Sequence, residues 1–302
     1  MALIWQYFIN ALIAASIYSL IALGFTLIYR TVHFFHLAHG GVYTIGAYLT
    51  YTFFKVFNSM IGVPVIPSFV ISLVLSMIIS GILGVLIDRM VYYPLRRKFA
   101  SDLIFLLASF GVFVFIQNLV QIIYGAHIYA FRIWSIREGY KILGAVITNV
   151  QILIIISSIF IMFVLWLFLQ KTKFGKAIRA VADDPVSASV IGINAEKIIT
   201  IVFFIGSALA GFAGTLISLE TNLEPTMGFT AILKGIIAAI VGGIGSLPGA
   251  ILGGTLLGFA ENLAILKIQA GWKDTIAFGI LVLFLLFKPE GILGIGNKRE
   301  DE

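Results

Sequence analysis

Residues 142–170 read ILGAVITNVQILIIISSIFIMFVLWLFLQ, with no Asp, Glu, Lys or Arg between Lys141 and Lys171. A surface helix of a soluble domain keeps a charged face toward water, whereas roughly 20 consecutive apolar residues suffice to cross the hydrocarbon core of a bilayer. Outward from this stretch the same charge-free pattern recurs at 103–131, 56–87, 31–54 and 2–29 on one side and at 198–219 and 235–260 on the other. The whole chain of 302 residues is 60% hydrophobic and 11% charged, with a mean hydropathy of +1.08. Soluble domains carry about a quarter charged residues, so the fold class is an all-α integral membrane protein, a polytopic helical bundle.

Hydropathy windows place spans near 6–28, 35–54, 64–87, 103–124, 143–169, 199–219, 226–246, 249–266 and 272–287. The seventh and eighth are separated only by a tight turn, which leaves eight or nine crossings. The segment beginning MALIWQYFIN has no basic leader and an apolar run longer than a signal-peptide core, so it reads as the first span. Arg30, the basic residues of 88–102 and 171–197, and Lys288, Lys298 and Arg299 collect on one side, which the positive-inside rule makes cytoplasmic. Lys55, Arg132, Arg137, Lys141, Lys267 and Lys273 fall on the other. With nine spans the N-terminus lies outside and the C-terminus inside. The net charge of +6 is accounted for by this orientation bias, not by nucleic acid. The absence of cysteine excludes disulfides, thiolate nucleophiles and Cys-based metal sites.

Three stretches carry information beyond hydropathy. The polar segment KTKFGKAIRAVADDPVSASVIGINAEK, 171–197, contains the signals of a short capped helix: Asp184 as N-cap, Pro185 at the first position, Gly192 as stop, and Asn194 as the cap of the next span. Its small residues Ala182, Ser187, Ala188 and Ser189 offer a compact knob for a partner's groove; a solvated helix without a partner is the plainer alternative. The run GIIAAIVGGIGSLPGAILGGTLLGFAEN, 235–262, places Gly242, Gly243 and Gly245 before Pro248 and Gly249, with Gly249 and Gly253 one helical turn apart. Glycines at that spacing let backbones approach closely, so 242–249 is expected to join two tightly packed helices.

In GFTLIYRTVHFFHLAHGGVYTIGAY, 24–48, the histidines at 33, 36 and 39 lack the spacing and carboxylate company of a metal site, and no metal is expected. A polar break in the helix at His39, Gly40 and Gly41 is expected instead, lining a cavity. Gln117 and Gln121 share a helix face and are candidates for the path, with hydrogen bonding to a neighbouring helix as the competing use. Lys234 and Glu261 lie 13 residues before and 14 after Leu247. In an antiparallel hairpin both then sit about 20 Å from the turn at 1.5 Å per residue, and they are expected to form an ion pair inside the membrane; separate snorkelling is the rival.

Together, GFTLIYRTVHFFHLAHGGVYTIGAY, FGKAIRAVADDPVSASVIGIN, KGIIAAIVGGIGSLPGAILGG with GFAEN, and the late KPEGILG resemble the permease subunits of branched-chain amino acid ABC importers over nearly the whole chain. The resemblance implies a single permease domain, 1–302, of a bacterial-type inner membrane. It implies a transport subunit that is not an enzyme and binds no cofactor itself, ATP and Mg being held by partners. Those partners are a second permease, expected to be a related paralogue, two cytoplasmic ATPases, and an extracytoplasmic binding protein, besides membrane lipid. Asp183, Asp184, Pro185, Ala188 and Gly192 match the segment that docks on the ATPase. The wider importer pattern begins Glu-Ala-Ala, where this chain has Val186 and Ser187 before Ala188. A permease for urea or short amides is a second reading within the same importer type. A secondary carrier or channel built on half-helices at 39–41 and 242–249 is a third, of a different class.

Overall fold

A computed structural model describes residues 2–131, 133, 139–142 and 144–294; Arg132, Arg137, Lys298 and Arg299, used in the charge bias, lie outside the described residues. The helices are α1 (Ala2–Val32), α2 (Ala38–Lys55), α3 (Val65–Ile87), α4 (Tyr93–Arg97), α5 (Asp102–Tyr124), α6 (Asn149–Lys171), α7 (Lys173–Asp183), α8 (Pro185–Val190), α9 (Ala195–Glu220), α10 (Met227–Gly242), α11 (Leu247–Ala264) and α12 (Lys273–Phe287). One antiparallel hairpin, β1 (Gly139–Ile142) and β2 (Ala145–Thr148), pairs Gly139 with Thr148 and Ile142 with Ala145. The expected helical span from 143 therefore starts only at Asn149. Gln6 explains why strand wins there: its side chain donates to Val146 O at 3.1 Å and accepts from Val146 N at 2.9 Å, extending the pairing onto α1.

Among the described residues six helices are long and apolar enough to cross a membrane, or seven if the pair α10 and α11, bent by 115°, counts as one span. This is below the eight or nine expected. The difference comes from that bent pair and from α2, whose sequence AHGGVYTIGAYLTYTFFK is diluted by His, Gly, Thr and Tyr. A helix walled by protein has no need of an apolar surface all round, and α2 is buried along most of its length.

The chain divides into two compact units, one of Met1–Arg30, Ile136–Ile159 and Leu233–Glu302, the other of Thr31–Ser135 and Phe160–Ile232. In the second unit α2 packs against α3, α5 and α9. Small residues make this possible. Ser68, Ser72, Ser76 and Ser80 recur every fourth position of α3 and are fully buried, with Gly84 continuing the row. A Cβ on Gly84 would overlap the Ser207 side chain of α9, and one on Gly46 of α2 would overlap the Gly211 backbone. Serine hydroxyls fasten part of the row: Ser72 donates to Ser68 O and Ser76 to Gly46 O, each at 2.6 Å. Thr50 and Thr215 join α2 to α9 at 2.8 Å. Backbones in contact, fastened by hydroxyls, replace the apolar driving force that lipid cannot supply between helices.

In the first unit the glycine rows of α11 face two neighbours. Gly253 lies against Ala238 O of α10, while Gly254 and Gly258 lie against Ser19 and Ala15 of α1. Ser19 also donates to Ile251 O at 3.1 Å. The KPEGILG segment closes this unit: Ile292 N and Leu293 N donate to Val241 O and Gly242 O, both at 2.9 Å, satisfying carbonyls that the end of α10 would otherwise leave without partners.

Candidate translocation and coupling sites

The basic loop folds into two helices, α7 and α8. Thr172 caps α7 by accepting from Gly175 N at 3.0 Å, and Asp184 caps α8 by accepting from Val186 N at 2.8 Å, with the Ser187 hydroxyl on its second oxygen at 2.5 Å. Pro185 opens α8. Gly192, at φ +87°, takes the left-handed stop that a side chain would strain, and Asn194 accepts from Lys197 N at 3.0 Å to start α9. Of the expected knob of small residues, Ser187 and Ser189 are exposed but the two alanines are turned inward. Ala182 and Ala188 are buried, whereas Val186, Val190 and Ile191 are 73%, 83% and 74% exposed. Alanine has no length to project, so on a one-turn helix packed against α7 and α9 it fills the inner face, and the branched residues take the outer one. Asp183, the last residue of α7, is exposed beside them.

At the other glycine-rich stretch, Ser246 caps α11 by accepting from Gly249 N at 3.1 Å, and Pro248 sits in its first turn. Gly243 and Gly245 have φ +111° and +84°, the two positions where the turn demands glycine. Gly242 and Gly249 abut backbone to backbone, so the turn joins closely packed helices. Within the same unit the structure brings Lys234 Nζ to 3.0 Å from Glu261 Oε2, and also to 3.1 Å from Asp274 Oδ1. Tyr18 OH donates to Glu261 at 2.8 Å and accepts from Lys234 at 3.1 Å. Glu261 is fully buried while Asp274 is 64% exposed. The pair is thus part of a four-membered cluster with one exposed end.

The expected break at His39, Gly40 and Gly41 lies elsewhere. The chain is non-helical at 33–37, with His33 at φ +59°, and α2 is already helical from Ala38. His39 is buried, a Cβ on Gly40 would stand 2.5 Å from Gly228 O, and one on Gly41 3.0 Å from Ile116. These glycines permit close helix contact. Ser109 anchors the real break, its hydroxyl receiving Leu37 N at 2.5 Å and Ala38 N at 3.2 Å; the buried His36 meets Tyr92 OH at 2.9 Å. Of the two glutamines, Gln117 lines an open groove of about 370 Å³ with Phe110, Phe113, Glu224, Phe229 and Thr230. Gln121, one turn on, is not among its lining residues.

Two features escaped the sequence reading. The serine row of α3 announces itself as Ser-x3-Ser-x3-Ser-x3-Ser-x3-Gly, a spacing rule applied above to glycines alone. Its continuation is Asp88, fully buried, which holds Arg96 at 2.7 Å, and Arg96 reaches Glu196 at 3.2 Å. Arg96 was counted for orientation only, although it ties the end of α3 to the start of α9, the helix that follows α8.

The family model described as branched-chain amino acid transport system / permease component matches residues 7–285. The chain is 37% identical to the high-affinity branched-chain amino acid transport system permease protein BraD of Pseudomonas aeruginosa, over 96% of this chain and 95% of that one. It is 36% identical to LivH of Escherichia coli over 96% and 95%, and 30% identical to a probable LivH of Methanocaldococcus jannaschii over 96% and 92%. A solved structure of PsaBC from Streptococcus pneumoniae in complex with Fab shares the fold, with TM-score 0.51 and 13% identity over 94% of this chain and 93% of that one. These findings define a polytopic membrane permease. The chain belongs to the branched-chain amino acid transport permease family.

Proposed function

We propose that this chain is the membrane-spanning subunit of an ABC importer for branched-chain amino acids. Separate cytoplasmic ATPases drive it, holding ATP and Mg; a second, related permease completes the path, and an extracytoplasmic binding protein feeds it. In this reading the basic loop 171–197 and the C-terminus face the cytoplasm and the N-terminus lies outside. The observation that carries the proposal is α8: a capped helix on a charged loop that turns Val186, Val190 and Ile191 outward. Apolar side chains clustered outside the bilayer mark a surface that a partner covers. The ATPase meets that outer face together with Asp183, and Asp184, Pro185 and Gly192 hold its shape.

The sparse intramembrane charge supports the same reading over an ion-coupled carrier, which uses acids as relays or ion ligands. Glu261 is committed to Lys234 and Tyr18, as a structural pair is. The test is uptake into vesicles containing the complete complex, offered leucine, isoleucine, valine, urea and short amides with the binding protein outside. Saturable uptake confined to the branched-chain amino acids is expected. Preference for urea or amides would overturn the substrate assignment.

A further inference from the structure

The groove at Gln117 runs along the middle of α5, from Phe110 to Gln117, beside the connection from α9 to α10 and the first turn of α10. The loop 221–226 forms its rim, held by the Tyr129–Leu223 bridge with N···O distances of 3.0 and 2.8 Å. Its lining is divided by chemistry. Phe110, Phe113 and Phe229 make an aromatic wall, Phe113 and Phe229 lying 5.9 Å apart at 41°. The same lining carries a carboxylate, an amide and hydroxyls, from Glu224, Gln117, Thr226 and Thr230. The groove between α3, α6 and α9 gives a contrast: Met77, Leu165, Phe168, Phe204 and their neighbours present no polar side chain to it, as a lipid-facing groove should. A carboxylate and a primary amide in one groove do not suit hydrocarbon; they suit a solute that is polar at one end and apolar at the other.

We propose that this groove is a substrate subsite of the path and that it takes a zwitterionic amino acid with an apolar side chain. Glu224 receives the α-ammonium, Gln117 and Thr230 donate to the α-carboxylate, and the three phenylalanines hold the side chain. The volume of about 370 Å³ falls in the range of small-molecule sites, roughly 300–1,000 Å³. The carboxylate of the substrate meets neutral donors only, and the groove is open, so binding is weak. Weak binding is what a path needs when a separate protein supplies the affinity. The proposal rests on the transport reading above and names a place for its substrate.

The test uses the complete complex in vesicles with ATP inside and leucine-loaded binding protein outside. Glu224 is exposed on its loop, so Glu224→Gln should leave complex yield unchanged. Loss of one charge-assisted hydrogen bond should then lower leucine uptake about tenfold or more, and Glu224→Asp should restore most of it. As a second measurement, the chain has no cysteine, so Thr230→Cys supplies a single thiol in this subunit. A membrane-impermeant thiol reagent should block uptake through that variant and spare the parent. Parent uptake with Glu224→Gln unchanged, or Thr230→Cys unaffected by the reagent, overturns the subsite while leaving the transport reading intact. Collapse of complex yield in Glu224→Gln makes the groove a subunit interface and also overturns it. A parent complex that carries urea or amides but no leucine overturns the transport reading, and the zwitterion assignment with it.

Discussion

Removing either member of the Lys234–Glu261 pair should have unequal consequences, and the structure says which is worse. In Lys234→Met, Glu261 remains fully buried and keeps the Tyr18 OH donor at 2.8 Å. A buried charge stripped of its counter-ion costs about 3–5 kcal/mol. In Glu261→Gln, Lys234 still has Tyr18 OH and the carboxylate of Asp274, both at 3.1 Å. That loss should be about 1.5–3 kcal/mol, the cost of a hydrogen bond to a charged group. The double variant leaves neither charge buried beside the other and should lie within about 2 kcal/mol of the parent. The assay is a double-mutant cycle on equilibrium unfolding in mixed micelles, read by near-ultraviolet circular dichroism. A coupling of about 2 kcal/mol or more, with Lys234→Met the most damaged of the three, is expected. Additive losses, or Glu261→Gln as the worst variant, would refute the reasoning.

Three further outcomes follow from the packing. On α8, Val190→Glu and Ile191→Glu should uncouple ATP hydrolysis from uptake with the permease still inserted, whereas Ala188→Arg should disturb the loop itself, seen as new protease cleavage within 171–197. Gly46→Ala should lower stability by about 1–3 kcal/mol, the range for overpacking, because its Cβ meets the Gly211 backbone and not a movable side chain; thermal unfolding of purified permease measures this. Arg96→Met, which leaves Asp88 buried without its partner at 2.7 Å, should cost about 3–5 kcal/mol, while Glu196→Gln, at a site 41% exposed, should cost about 1 kcal/mol or less; the same unfolding assay separates them.

What the sequence disclosed depended on how far apart in the chain the deciding residues lie. Asp184, Pro185, Gly192 and Asn194 act on backbone groups two or three positions away, and each stands where a capping rule puts it. The turn at 242–249 was equally local. Lys234 and Glu261 were brought to one depth by counting residues on either side of Leu247, but Asp274 and Tyr18 come from helices whose register no local rule supplies. Gly40 and Gly41 were taken for a break because glycine loosens a helix; their actual use depends on Gly228 and Ile116, distant in sequence. The break at 33–37 carries neither glycine nor proline. Ala188 was read by its size, and only its packing against α7 and α9 reveals that it faces inward. The span count failed for a related reason, since hydropathy records how apolar a helix is and α2 meets protein on most of its surface.

On the proposed function, this permease moves its substrate only as part of an ATP-driven assembly. The most direct measurement is leucine uptake into vesicles holding the complete complex, with ATP inside and binding protein outside, each supplied or withheld in turn. Uptake should require both and should be indifferent to proton and sodium gradients. Leucine accumulation without ATP, driven by an ion gradient and undiminished when the binding protein is omitted, would contradict the account.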